Sequence, residues 1–240
     1  MKKTKLTLFV TVLTAALFLG GCATPETQLK TASSKTVELE IRRMARKGEG
    51  ILTEVDYLKV GHINLHGKNV NDISLLAKCK NLTEINLTYN YILEDITPLK
   101  GLKKLRVLQL EHNNISDISP LAELTGLEVL GIYSNHITDI TPLANLKKLQ
   151  FLSIGDNRIQ DISVVQNFTG LEVLDIRSTS VKDLTPLKGL SLVRLDAESS
   201  LINDLGPLGD MKTLKSLRTH RSLVPQEDAD ELLKKLKANK

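Results

Sequence analysis

A chain of 240 residues with 41% hydrophobic content can bury a sizeable core, and 3% aromatics with no tryptophan make that core aliphatic. The formal charge is +4, but residues 1–21 hold Lys2, Lys3 and Lys5 and no acid, so without them 29 basic residues face 28 acidic ones. Nothing in so even a balance calls for nucleic acid as a partner.

The first element, MKKTKLTLFVTVLTAALFLGGCATPE, is a basic cluster followed by an apolar run from Leu6 to Leu19. A membrane span needs about 20 apolar residues. This shorter run has the layout of a secretory signal. It closes on Leu19-Gly20-Gly21-Cys22, which resembles the lipobox of bacterial lipoproteins. The resemblance implies that residues 1–21 are a lipoprotein signal peptide and that the Cys22 sulfur carries a diacylglycerol. Ala23 rather than aspartate follows, which in that class of protein implies the outer membrane where a cell has one. The alternative is an ordinary signal peptide with an incidental cysteine. Residues 22–34 are polar and aperiodic and read as a lipidated tether, with a reach of roughly 20 Å for about a dozen flexible residues.

Residues 35–59 read as an N-terminal cap. Val37, Ile41, Met44 and Ala45 recur at helical spacing, with Ser34 or Thr36 able to start the helix and Gly48 to stop it. Arg42, Arg43, Arg46 and Lys47 on its polar side leave a membrane-surface or partner-binding helix as the other reading.

From Val60 the chain repeats itself. LRVLQLEHNNISDISPLAEL, LEVLGIYSNHITDITPLANL and LQFLSIGDNRIQDISVVQNF start at Leu105, Leu127 and Leu149, 22 residues apart. Leading positions at Val60, Leu82, Leu105, Leu127, Leu149, Leu171, Leu192 and Leu214 mark eight copies over residues 60–222, the last incomplete. One spacing is 23, between Leu82 and Leu105, and one is 21, between Leu171 and Leu192. A unit this short cannot bury its apolar face alone, so the copies must stack as a solenoid. Leu108, Leu110, Leu130, Ile132, Leu152 and Ile154 alternate with variable residues, as half-buried strands do, and successive strands must run parallel.

On these motifs the chain resembles the leucine-rich repeat family, in particular the bacterial internalin-like type with 22-residue repeats. The segment from Leu39 to Gly67 also resembles that type's cap running into its first repeat. The implied fold is an α/β leucine-rich repeat solenoid, a horseshoe with a parallel concave sheet and helical caps at both ends. The implied work is recognition of a protein or peptide by a monomer.

Within each repeat several residues have structural duties. Asn90, Asn113, Asn135 and Asn157 form a ladder able to satisfy backbone groups at the turn, weakening to Thr179, Ser200 and Ser222. Asp95, Asp117, Asp139, Asp161, Asp183 and Asp204 suit turn capping better than calcium, at one carboxylate per coil. Cys79 falls in a core slot. His62 and His66 share a strand face but stand roughly 13 Å apart, too far to share a metal. Neither nucleophile elbows nor phosphate-cradling loops occur, so no cofactor, metal or enzymatic activity is expected. The last element, residues 223–240, reads as a C-terminal cap helix whose apolar face is Ala229, Leu232, Leu233 and Leu236.

The exposed strand positions carry what function there is. Val107, Val129, Phe151 and Val173 form an apolar strip, bordered by Glu111, Tyr133, Asp175 and Arg177. These eight residues are the candidate ligand-binding site, with Tyr133 and Phe151 as anchors. Valine and phenylalanine are also simply good strand formers. A membrane-anchored recognition module and a structural envelope scaffold without a dedicated concave-face ligand therefore both remain open.

Overall fold

The computed structural model describes residues 24–238. The expected signal peptide and Cys22 lie outside the described residues. Among those described, no helix is long and apolar enough to cross a membrane.

Eight three-residue strands follow one another in chain order: β1 (His62–Asn64), β2 (Glu84–Asn86), β3 (Val107–Gln109), β4 (Val129–Gly131), β5 (Phe151–Ser153), β6 (Val173–Asp175), β7 (Arg194–Asp196) and β8 (Ser216–Arg218). Each pairs in parallel with the next, so the sheet order equals the sequence order. Equivalent repeat positions face one another without slippage, as in Leu108↔Leu130↔Leu152. A short 3-10 turn on the opposite side returns each coil, most with proline as its second residue. This is the α/β horseshoe that the family resemblance implies.

Stacking explains the core. The leading residue of every repeat from Val60 to Leu192 is fully buried, as are the central strand positions Leu108, Leu130, Leu152 and Leu174. The aspartates act as turn caps: Asp95, Asp117, Asp139, Asp161, Asp183 and Asp204 each accept the backbone N–H two residues on at 2.7–2.8 Å. Cys79 is fully buried, and burial pushes its thiol pKa up to about 11.

The asparagine ladder is a repeated three-way clamp. Asn135 Oδ1 accepts from Ile115 N–H at 3.0 Å, while its Nδ2 donates to Leu110 O (2.9 Å) and Ile132 O (3.0 Å). Asn157 repeats the pattern with Ile137, Ile132 and Ile154. At the 23-residue repeat the clamp shifts, and Asn113 Oδ1 takes Asn90 N–H instead. Thr179 keeps a single bond of this kind, to Ile176 O at 2.6 Å, and Ser200 a single one to Ala197 O.

Both sheet ends are capped. Helix α1 (Pro25–Ala45) buries Val37, Ile41 and Ala45 against the first coil, and the short α2 (Glu54–Leu58) follows it. At the far end, α3 (Gln226–Ala238) buries Ala229 and Leu236. Gln226 takes the place of a further coil: its Nε2 donates to Leu217 O at 3.1 Å and its Oε1 accepts from Thr219 N–H at 2.8 Å.

The N-terminal cap differs from the sequence expectation in two respects. Residues 25–34 are not a flexible tether, because α1 already begins at Pro25. Thr24 Oγ1 accepts Thr27 N–H at 3.3 Å, proline occupies the first turn, and Glu26 complements the helix N-terminus. Ser33, inside that stretch, is buried and accepts from Asn71 N–H (2.7 Å) and Asp72 N–H (2.8 Å). Polar composition concealed the start because the stabilising groups are caps and one hydroxyl, not an apolar stripe. The helix also stops before Gly48, with Arg46 in the left-handed region at φ 54°.

Candidate functional site

Three rows of side chains leave the concave face at alternate strand positions. The first contains Val107, Val129, Phe151 and Val173, which are half-buried and sit side by side in register across β3 to β6. The expected apolar strip is therefore contiguous. The second row holds Gly131, Ser153, Asp175 and Asp196. The third begins just past the strands, with His66, Thr88, Glu111, Tyr133, Gly155 and Arg177.

Two glycines in these rows make room for larger neighbours. A Cβ on Gly131 would meet Glu111 Oε1, whose carboxylate lies over that glycine and accepts from Thr88 Oγ1 at 3.1 Å. A Cβ on Gly155 would stand 2.7 Å from Arg177 O and 2.9 Å from Tyr133 Cδ2. The Tyr133 ring thus lies across bare backbone, where the Arg177 guanidinium carbon comes within 5.0 Å of the ring centre. A cation over an aromatic face is attracted by the ring quadrupole. Arg177 also donates from Nε and Nη2 to the two Asp175 oxygens at 2.9 and 2.8 Å. That hydrogen-bonded carboxylate holds the guanidinium above its ordinary pKa. Burial, then the charge of Asp156, pushes the Tyr133 hydroxyl up. Asp175 itself is buried and also accepts from Ser153 Oγ at 3.0 Å, so it positions Arg177.

Of the eight expected site residues, Tyr133, Asp175 and Arg177 form one cluster and the four apolar residues one row. Glu111 is turned toward Thr88 and pairs with neither group.

A larger feature was missed. Tyr89 and His112 stack face to face, ring centres 4.3 Å apart and 10° from parallel. His66 meets the edge of Tyr89 at 5.2 Å, Tyr91 meets it at 5.9 Å, and His112 meets Tyr133 at 5.5 Å. Together with Arg177 these rings make an aromatic rim along one edge of the concave face. Tyr91 is 64% exposed and Tyr89 38%. The signal was present in the repeat register, since Tyr89 and His112 hold the same position in consecutive coils, immediately before the ladder asparagine. Both have left-handed backbones, φ 60° and 57°, which ends the strand alternation and turns them to the rim.

A family profile described as Leucine Rich repeats (2 copies) matches residues 103–145 and 147–189. Among solved structures, the chain is similar to the internalin inlF of Listeria monocytogenes (22% identity, 90% of this chain and 84% of that one, TM-score 0.61). It is similar also to internalin C2 of Listeria monocytogenes (24% identity, 84% of this chain and all of that one, TM-score 0.62). A leucine-rich repeat protein of Leptospira interrogans matches at 21% identity over 68% of this chain and 50% of its own length, with a TM-score of 0.58. A search of the curated proteins finds no significant match. At these identities the likeness speaks for the fold alone, a leucine-rich repeat scaffold.

Proposed function

We propose that this chain, a leucine-rich repeat protein of internalin-like architecture, recognises a protein or peptide partner on its concave face and aromatic rim. The observation that carries the reading is the chain of rings from His66 through Tyr89 and His112 to Tyr133, ending on Arg177. Strand formation accounts for the half-buried valines, but not for tyrosines and histidines beyond the strand ends. Aromatic residues and arginine are the side chains over-represented at binding hot spots. Stacking between coils would also serve a scaffold, but the exposure of Tyr89 and Tyr91, 38% and 64%, favours a ligand.

Anchoring is the second part of the proposal. The basic cluster, apolar run and Leu19-Gly20-Gly21-Cys22 support a signal peptide and a lipid on Cys22, holding the domain at a cell envelope. In a cell with two membranes, Ala23 supports the outer one.

The full chain, used as bait against envelope and extracellular proteins, should capture a partner. Tyr133→Ala and Phe151→Ala should each weaken that partner's binding by more than about 1 kcal/mol, with circular dichroism unchanged. Unchanged affinity in both variants would remove the concave face from the proposal. Protease added to intact and lysed cells tests the location, and incorporation of a radiolabelled fatty acid at Cys22 tests the anchor separately. A label that persists after Cys22→Ser would disprove lipidation there.

A further inference from the structure

We infer that the C-terminal half of the concave face carries a carboxylate subsite, formed by Arg177, Arg194 and Arg218 around Asp196, that takes an acidic side chain of the partner. The inference rests on the recognition reading and names the chemistry of the partner at one point on that surface.

Asp196 on β7 is 2% exposed, yet its Oδ2 accepts no hydrogen bond. Three guanidinium groups converge on that oxygen, from Arg194 at 3.5 Å, Arg218 at 3.6 Å and Arg177 at 3.8 Å. They arrive from three consecutive coils. Arg194 is on the same strand, Arg218 is opposite Asp196 on β8, and Arg177 follows β6. Arg177 has donors committed to Asp175. Among the described residues, Arg194 and Arg218 have only their long pairing with Asp196, and their side chains are 46% and 53% exposed. Each guanidinium carries five N–H donors in a planar fork matched to a carboxylate. The outward forks of these two are therefore available.

Charge selects the ligand. Three guanidinium ions pair with two carboxylates, Asp175 and Asp196, and Glu198 beside them makes no ion pair with any of the three among the described residues, leaving one positive charge unpaired at contact distance. A carboxylate neutralises it. A phosphate dianion would overshoot and would meet the buried Asp196 anion with about twice the repulsion that a carboxylate does. The subsite also lies on an open sheet, where exposed ion pairs alone hold little because solvent screens them. An acid that stays must belong to a larger partner with further contacts. Arg177 supplies the continuity, because the guanidinium that pairs with Asp196 also lies over the Tyr133 ring. One bound segment can thus place an acidic residue among the arginines and apolar or aromatic residues along the rim.

The test uses the full chain in mild detergent with two probes, an acetylated, amidated hexaglutamate peptide and its hexaglutamine counterpart. The wild type should bind hexaglutamate about tenfold more tightly, a difference of about 1.4 kcal/mol. Arg194→Gln with Arg218→Gln should bring the two peptides within about twofold, since charged partners lose most when both forks are removed. Lys147→Gln with Lys182→Gln removes the same charge away from the sheet and should leave the preference intact. Acetate should compete with hexaglutamate at least as well as phosphate does.

No preference for hexaglutamate, equal loss in both double variants, or better competition by phosphate would each overturn the subsite. The wider reading fails differently. A captured partner sensitive to Tyr133→Ala but indifferent to the arginine variants removes the subsite alone, whereas capture indifferent to Tyr133→Ala and Phe151→Ala removes the recognition reading.

Discussion

Exchanging ladder residues in opposite directions tests how much the asparagines stabilise the solenoid. Asn135→Thr should keep the bond to Ile132 O, as Thr179 keeps its bond to Ile176 O at 2.6 Å. It should lose the acceptor for Ile115 N–H and one of the two donors that reach Leu110 O. Leu110 O retains Asn113 Nδ2 at 2.7 Å, so the one group left bare is the buried Ile115 N–H. A buried unsatisfied donor costs about 1–3 kcal/mol and a lost shared bond about 0.5–1, so the variant should lose about 1.5–4 kcal/mol. Thr179→Asn runs the other way. By analogy with Asn157 and Ile137, its Oδ1 would accept Ile159 N–H, which has no such acceptor among the described residues. A gain of about 1–2 kcal/mol is expected after side-chain ordering. Urea unfolding followed by circular dichroism measures both. If Thr179→Asn proves neutral or destabilising while Asn135→Thr destabilises, the ladder is not the transferable clamp described above.

Leu130→Ala, in the centre of β4, should cost about 2–5 kcal/mol in the same urea assay, and a much smaller loss would mean the coil is loosely packed. Gly155→Ala should cost about 1–3 kcal/mol by overpacking, because backbone at 2.7 Å cannot yield, and should shift the Tyr133 ring signals by NMR. Gly131→Ala meets only the movable Glu111 side chain and should be milder, losing the Thr88–Glu111 bond without global destabilisation. Asp56 gives a pH test. The Thr53 N–H, then Lys59 and the Thr53 hydroxyl, depress its pKa. A depressed native carboxylate stabilises fully above the unfolded aspartate value of about 3.9, and the contribution fades as pH falls toward the native one. Asp56→Asn should therefore lower the melting temperature at pH 7 and flatten its fall below pH 4, and parallel acid profiles would refute the assignment.

The parts of the fold legible in the sequence are those repeated in every coil. Leu108, Leu130 and Leu152 announce their strands because one face is buried and a one-residue slip would invert it. The aspartates were readable as turn caps for the same reason, since a motif repeated in six coils identifies its own partner. The start of α1 was not, because Thr24, Pro25 and Ser33 act once each and leave no period. Tyr89 and His112 escaped for a different reason. Period-two reasoning ends with the strand, and a left-handed residue then redirects the side chain. Arg218 and Asp196 were visible singly, but their convergence depends on parallel register across β6, β7 and β8, which places residues 22 apart in contact.

The early start of α1 bears on the geometry of the proposed attachment. Its 21 residues rise by about 1.5 Å each, making a rod of about 30 Å whose inner half is packed into the first coil. Cys22 lies three positions before Pro25. The proposed lipid on Cys22 would leave two residues, Ala23 and the capping Thr24, between anchor and rod. With the proposed anchor, the reach from membrane to first coil is then the length of a helix and not that of a coiled string.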